Sequence, residues 1–120
     1  MKSNDSVILV KSKDFALHII DLYKHLCYEE KEFVISKQLL RCGTSIGANA
    51  KESSFAQSKA DFIAKLFISL KEAGETEYWL ELLYESGYID EERFDVLYSK
   101  NKELIRIITS IIKTTKNNNC

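Results

Sequence analysis

The chain has 120 residues, of which 45% are hydrophobic and 29% are charged, and its net charge is −1. This size suits a single domain over residues 1–120, and the charge balance gives no bulk signal for nucleic acid. No apolar run approaches the ~20 residues that span a bilayer, and Met1–Val10 is too short for a signal-peptide core, so we expect a cytoplasmic protein. Three widely spaced cysteines fit neither a disulfide framework nor a zinc site: Cys27, Cys42 and Cys120.

The absence of proline favours long helices, and two apolar patterns of helical spacing occupy the first half of the chain. The first predicts a helix from about Ser12 to Tyr28. It follows a short N-terminal arm, residues 1–11, in which Val7–Val10 is expected to be extended. The second predicts a helix from about Phe33 to Phe55. A row of small residues along it indicates close approach of another backbone: Ser36, Gly43, Gly47 and Ser54.

Two capping signals place the remaining helices. Ser58 and Asp61 form an S-x-x-D signal for a third helix that ends near Ser86, before Gly87. Asp90 is the expected cap of a fourth helix, which ends in a frayed polar tail at 117–120. Four helices with short links predict an all-α, up-down-up-down antiparallel four-helix bundle.

Glu77 falls near the centre of the apolar face of the third helix. A buried carboxylate needs a partner or a proton, and a polar row on the second helix offers partners. We therefore predict a buried polar network in which Glu77 meets Arg41 or Asn49. A structural contact is favoured over an acid in a site. The network comprises Arg41, Ser45, Asn49 and Glu77.

A second unusual feature of the third helix is a set of large apolar residues on its polar face. A tryptophan there indicates a covered surface, and tryptophan and tyrosine are frequent anchors of protein interfaces. We predict an oligomer interface made of Ile68, Tyr78, Trp79 and Leu82.

The chain has few residues in a recognisable catalytic or metal-binding arrangement. Asp14, His18, Asp21 and His25 share one face of the first helix, where a solvated polar face explains their spacing as well as a metal site does. There is no phosphate loop or dinucleotide fingerprint. We expect no enzyme, no metal and no cofactor, and no small-molecule substrate or membrane partner.

The run LLRCGTSIGANAKESS, followed by SKADFIAKLFISLKEAGETEYWLELLYESGYI, resembles the bacterial four-helix-bundle proteins encoded within intervening sequences of 23S ribosomal RNA genes. The family pattern matches at Arg41, Ser45, Ile46, Asn49, Phe62, Leu66, Gly74, Glu77, Gly87, Tyr88 and Ile89. Many members read A-E-G where this chain has Ala50-Lys51-Glu52. The resemblance implies a homopentameric barrel of bundles without enzymatic activity. It also implies kinship to accessory variability determinants of diversity-generating retroelements, which bind nucleic acid and a reverse transcriptase.

The charges are unevenly distributed along the chain. Six basic residues against two acidic ones occupy Lys37–Lys71, and nine acidic residues against one basic one occupy Glu72–Asp95. One hypothesis is an oligomer that binds RNA or a ribonucleoprotein partner through a repeated basic surface. The alternative is a protein-interaction scaffold whose acidic stretch faces a basic partner. The expected nucleic-acid contacts are Lys37, Arg41, Lys51, Lys59 and Lys65.

Overall fold

The computed structural model describes residues 3–118, with side chains from residue 6 onward. This part of the chain contains four α-helices and no strand. The predicted all-α class and the four helices are therefore confirmed. The helices are α1 (Ser3–Tyr28), α2 (Ile35–Ser53), α3 (Lys59–Glu85) and α4 (Glu91–Asn117).

The predicted extended arm is wrong, because Val7–Val10 belongs to α1. The physical reason is Ile8, which lies seven residues before Phe15 and therefore on the same helix face. Ile8 is only 2% exposed, so it extends the core stripe by two turns. Part of the predicted frayed tail, residues 119–120, lies outside the described residues; Asn117 is the last residue of α4.

The helices form an antiparallel bundle in which each packs on its two neighbours and α4 closes the ring on α1. Two contacts show that α2 and α3 run in opposite directions. Cys42 of α2 contacts Thr76 of α3, whereas Glu52, later in α2, contacts Lys65, earlier in α3. The molecule measures 52 × 22 × 19 Å. The core includes Phe15, Ile19, Leu22, Leu26, Leu39, Ile46, Leu66, Leu80, Leu83, Leu104 and Ile108.

The small residues of α2 allow it to lie close to α1. A Cβ atom at Gly43 would lie 2.9 Å from Cγ1 of Ile19, and one at Gly47 would lie 3.0 Å from Oγ of Ser12. Both distances are shorter than ordinary carbon contacts of about 3.5–4.0 Å. The predicted close backbone approach is confirmed at these two glycines.

Both predicted N-caps are present. The Ser58 side chain accepts a hydrogen bond from the Asp61 N–H at 3.1 Å, and that of Asp90 accepts one from the Arg93 N–H at 2.8 Å. Gly87 follows α3 with a φ of +89°, a left-handed conformation that favours glycine. Ser58 thus marks the start of α3, and Gly87 and Asp90 mark the turn between α3 and α4.

The start of α2 is capped in a way that the sequence pattern did not reveal. Val34 at the N-cap position offers no side-chain acceptor. The Glu32 carboxylate instead accepts backbone N–H bonds from Val34 at 3.0 Å, Ile35 at 3.0 Å and Ser36 at 2.6 Å. Burial by itself raises the pKa of Glu32, but these donors together lower it below its ordinary value. The carboxylate also complements the positive end of the helix dipole.

Replacing Glu32 with glutamine is expected to destabilise the protein by about 1–2 kcal/mol at neutral pH, the usual effect of losing a cap. Because the folded-state pKa of Glu32 is lowered, its contribution is present above the unfolded-state pKa. It is lost as pH falls through the folded-state value. The free energy of unfolding, measured with urea from pH 7 to pH 3, should therefore differ less between wild type and Glu32→Gln as the pH falls. A difference in free energy that stays constant with pH would contradict the cap. The control is Glu29→Gln, a change at an exposed residue of the same connection.

Candidate nucleic-acid interface

The bundle is electrically polarised along its long axis. The end formed by the α2–α3 turn and the C-terminus of α4 is called here the basic end. Among the described side chains it carries two acidic residues, Glu52 and Asp61, and these lysines: Lys51, Lys59, Lys65, Lys113 and Lys116. The opposite end, called here the acidic end, contains the α1–α2 and α3–α4 connections. Its acidic residues include Glu29, Glu30, Glu32, Glu85, Asp90, Glu91, Glu92 and Asp95.

Two contacts of lysine side chains join α3 to α4 at the basic end. The Lys59 ammonium donates to the Asn118 carbonyl oxygen at 3.1 Å, which joins the start of α3 to the end of α4. The Lys116 ammonium lies 5.1 Å from the centroid of the Phe67 ring. Lys51 and Lys113 are exposed. A cationic surface of this kind attracts polyanions, and more strongly at low salt.

An exposed aromatic side chain accompanies these lysines. Phe55, in the turn between α2 and α3, is 76% exposed. Exposed aromatic rings beside basic residues are platforms on which single-stranded bases stack. The sequence interpretation missed Phe55, Lys113 and Lys116. The excess of basic residues after Val96 was the signal that could have found the two lysines.

The structure divides the predicted nucleic-acid contacts between the two ends. Lys51, Lys59 and Lys65 lie at the basic end, although Lys65 pairs with Glu52 at 3.2 Å. Lys37 lies near the start of α2, towards the acidic end, with Arg41 one turn further along. Lys37 and Arg41 are therefore separated from the basic end by most of the length of α2.

Arg41 is held by two carboxylates of α3. One guanidinium nitrogen lies 3.2 Å from Glu72, and the other bonds Glu75. The indole N–H of Trp79 also donates to Glu75 at 3.0 Å. Hydrogen bonds from Arg41 and then Trp79 lower the pKa of Glu75. With its charge balanced in this way, Arg41 is a structural link between α2 and α3.

The predicted contact of Glu77 with Arg41 or Asn49 is wrong. Glu77 pairs with Lys102 of α4 at 2.9 Å, whereas the Ser45 and Asn49 side chains bond carbonyl oxygens of their own helix. The physical reason is that α3 contacts α2 on one side and α4 on the other, and Glu77 lies on the α4 side. The buried polar group of the α3–α4 seam is Asn101, which is 0% exposed and donates to the Ala73 carbonyl at 2.9 Å.

The four residues predicted to form an oligomer interface differ in exposure. Tyr78 and Ile68 are 54% and 40% exposed. Trp79 and Leu82 are half-buried, and Trp79 packs in part against the core. Much of the Trp79 side chain is thus covered within the chain itself, whereas Tyr78 and Ile68 remain available to a partner.

A groove of about 620 Å³ at the acidic end is lined by three of the four residues of the polar face of α1, His18, Asp21 and His25. Two of its charged pairs are in contact, since Asp21 lies 3.1 Å from Arg93 and His25 lies 3.6 Å from Glu30. The remaining two residues of that face, His18 and Asp14, lie 3.6 Å apart. No group of three or more metal-ligating side chains occurs among residues 6–118.

Cys42 is buried beneath the Thr76 hydroxyl, 3.2 Å away. Burial raises the pKa of the Cys42 thiol to about 11. A thiol with so high a pKa is almost wholly protonated at neutral pH and is a poor nucleophile.

Among the helices that the structure describes, none is long and apolar enough to cross a membrane.

The fold and the polarised surface define an all-α four-helix bundle with a basic end. A family model described as 23S rRNA-intervening sequence protein matches residues 4–110 of this chain. The chain therefore belongs to the family of 23S rRNA-intervening sequence proteins. No curated protein matches it.

A solved structure supports the same assignment. It is the crystal structure of a protein of unknown function from the S23 ribosomal protein family of Bacteroides thetaiotaomicron VPI-5482. That protein is 55% identical in sequence, and the match covers 92% of this chain and 98% of that one with a TM-score of 0.91. The predicted family is thus confirmed.

Proposed function

We propose that this protein is a cytoplasmic, non-enzymatic homopentamer that binds single-stranded RNA through its basic end. The observation that carries the proposal is that exposed Phe55 lies at the same end of the bundle as these lysines. One such patch is a weak site. Five copies on one rim of a ring bind one RNA strand much more tightly, because each additional contact is intramolecular.

The polarity of the bundle supports binding at one rim only. Negative charge dominates the acidic end, so a polyanion is repelled there and attracted to the opposite end. In a ring whose subunits point the same way, the five basic ends form one surface. An RNA strand on that surface contacts several subunits in turn.

Fluorescence anisotropy with a labelled 20-nucleotide single-stranded RNA tests this function. We expect saturable binding that weakens steeply as salt rises, and a weaker complex for Phe55→Ala, since stacking on an aromatic ring contributes about 1–3 kcal/mol per base. The absence of binding at low salt would contradict the proposal. In that case, a protein retained on the wild-type chain after nuclease treatment would identify a protein-interaction scaffold.

A further inference from the structure

Two helices on opposite sides of the bundle each carry an exposed apolar face. On α1, Val10, Leu17 and Ile20 are 69%, 59% and 36% exposed; on α3, Phe67 and Tyr78 are 40% and 54% exposed. No contact joins α1 to α3 among the described residues, so they occupy opposite corners of the ring of helices. The exposed residues of α2 and α4 are mainly polar.

The face of α3 contains a glycine that the chain itself does not explain. Gly74 lies mid-helix between Phe67 and Tyr78, where glycine costs about 1 kcal/mol relative to alanine. A Cβ atom at Gly43 or Gly47 would meet α1, whereas one at Gly74 would meet nothing within 4 Å. The shallow site at Gly74 is therefore open to a side chain from outside the protomer.

The positions of residues along the long axis of the bundle, called here their heights, indicate which side chain of a neighbouring copy reaches Gly74. Ile19 of α1 lies beside Gly43 of α2, and the preceding residue of α2, Cys42, which is one residue nearer the acidic end, bonds Thr76 of α3. Leu17, two residues before Ile19, is therefore level with Gly74 to within about one residue, or ~1.5 Å. Because α1 and α3 run in the same direction, a rotation axis parallel to the bundle keeps these heights equal in successive copies.

The charges beside the two faces are complementary. Lys24 lies seven residues after Leu17 and is therefore on the same face of α1. The same relation of heights places it level with the C-terminal turns of α3. These carry exposed Glu85 and half-buried Glu81, whose carboxylate also accepts a hydrogen bond from the Tyr98 hydroxyl at 3.0 Å. Opposite charges at the rim of an apolar contact favour this pairing over contact between two copies of α1.

We propose that the α1 face of one copy packs against the α3 face of the next, with Leu17 seated at Gly74. This inference rests on the oligomer proposed above and specifies the interface between its subunits, called here the joint. Because the two faces differ, the contact is heterologous and generates a closed ring when the rotation closes. The joint keeps all basic ends on one side.

Two matched variants test the joint, Leu17→Glu and Gly74→Glu. Both positions are exposed, so neither change disturbs the protomer core. Native mass spectrometry should show that each variant alone falls from the assembly mass to 13.8 kDa. An equimolar mixture should give a dimer of twice that mass, since one intact face remains on each partner.

Each other result overturns the joint. Contact between like faces would leave each variant a homodimer and give no mixed dimer. Either variant retaining the wild-type mass would show that its face is not in the interface. Wild type that is itself monomeric would remove the oligomer on which the inference rests. Val96→Glu, a change at a 47% exposed position of α4, is the control and should retain the assembly.

Discussion

Alanine at Gly43 is expected to destabilise the protein by about 2 kcal/mol, although alanine is the better helix former. The added methyl group would lie 2.9 Å and 3.0 Å from two side-chain carbons of Ile19. Ile19 is fully buried and β-branched, so it cannot rotate away and α1 must move from α2. Overpacking of up to about 3 kcal/mol outweighs the gain of about 1 kcal/mol in helix propensity.

The same substitution at Gly74 is the matched control. In a protomer nothing opposes its methyl group, so Gly74→Ala is expected to stabilise by about 1 kcal/mol. Urea unfolding of both variants in the Leu17→Glu background separates protomer stability from assembly. Equal effects of the two alanines would contradict the close packing of α1 on α2.

Charge reversal at Lys51 and Lys113 is expected to abolish most RNA binding. Both residues are exposed at the basic end, so Lys51→Glu/Lys113→Glu removes two of the proposed phosphate contacts and adds two repulsive charges. For single-stranded RNA, the slope of log K against log salt should become shallower by about 1.4 for each protomer in contact. Anisotropy titrations at several salt concentrations measure both effects.

The control for this double variant has the same net charge. Lys31→Glu/Lys37→Glu changes two exposed lysines towards the acidic end and should leave RNA affinity nearly unchanged. A loss of binding as large as that of Lys51→Glu/Lys113→Glu would mean that net charge, rather than the basic end, determines affinity. Retained binding by the latter would contradict the proposed site.

The sequence predicted the helices well because most of their signals are local. Ser58, Asp90 and Gly87 act through hydrogen bonds or backbone conformation within a few residues. The start of α2 lacked such a signal at its N-cap. The capping carboxylate of Glu32 lies three residues before the first helical residue, so the prediction placed the start at Phe33 instead of Ile35.

Long-range pairing was harder to predict than helix position. A helical wheel shows that Glu77 lies on an inward side of α3, but not whether that side meets α2 or α4. The choice depends on how α3 rotates about its axis, which the packing of the whole bundle determines. For this reason the prediction paired Glu77 with Arg41 or Asn49 of α2, whereas in the structure it pairs with Lys102 of α4.

The same limitation affected the candidate site. Lys37 and Lys51 belong to one basic segment in sequence, yet α2 separates them by 14 residues, or about 21 Å. Lys113 is distant in sequence but lies at the same end as Lys51, because α2 and α4 both run towards the basic end. Counting charges by segment recovered the excess of positive charge but not its distribution over the surface.

We propose that a ring of this protein binds RNA at its basic end, and light scattering tests the ring and the binding together. The mass of the purified protein is measured with and without single-stranded RNA, at low and then at high salt. We predict a mass of five times 13.8 kDa that increases with RNA at low salt and returns to the protein value at high salt. A monomer, or a pentamer whose mass RNA never changes, would contradict RNA binding by a ring.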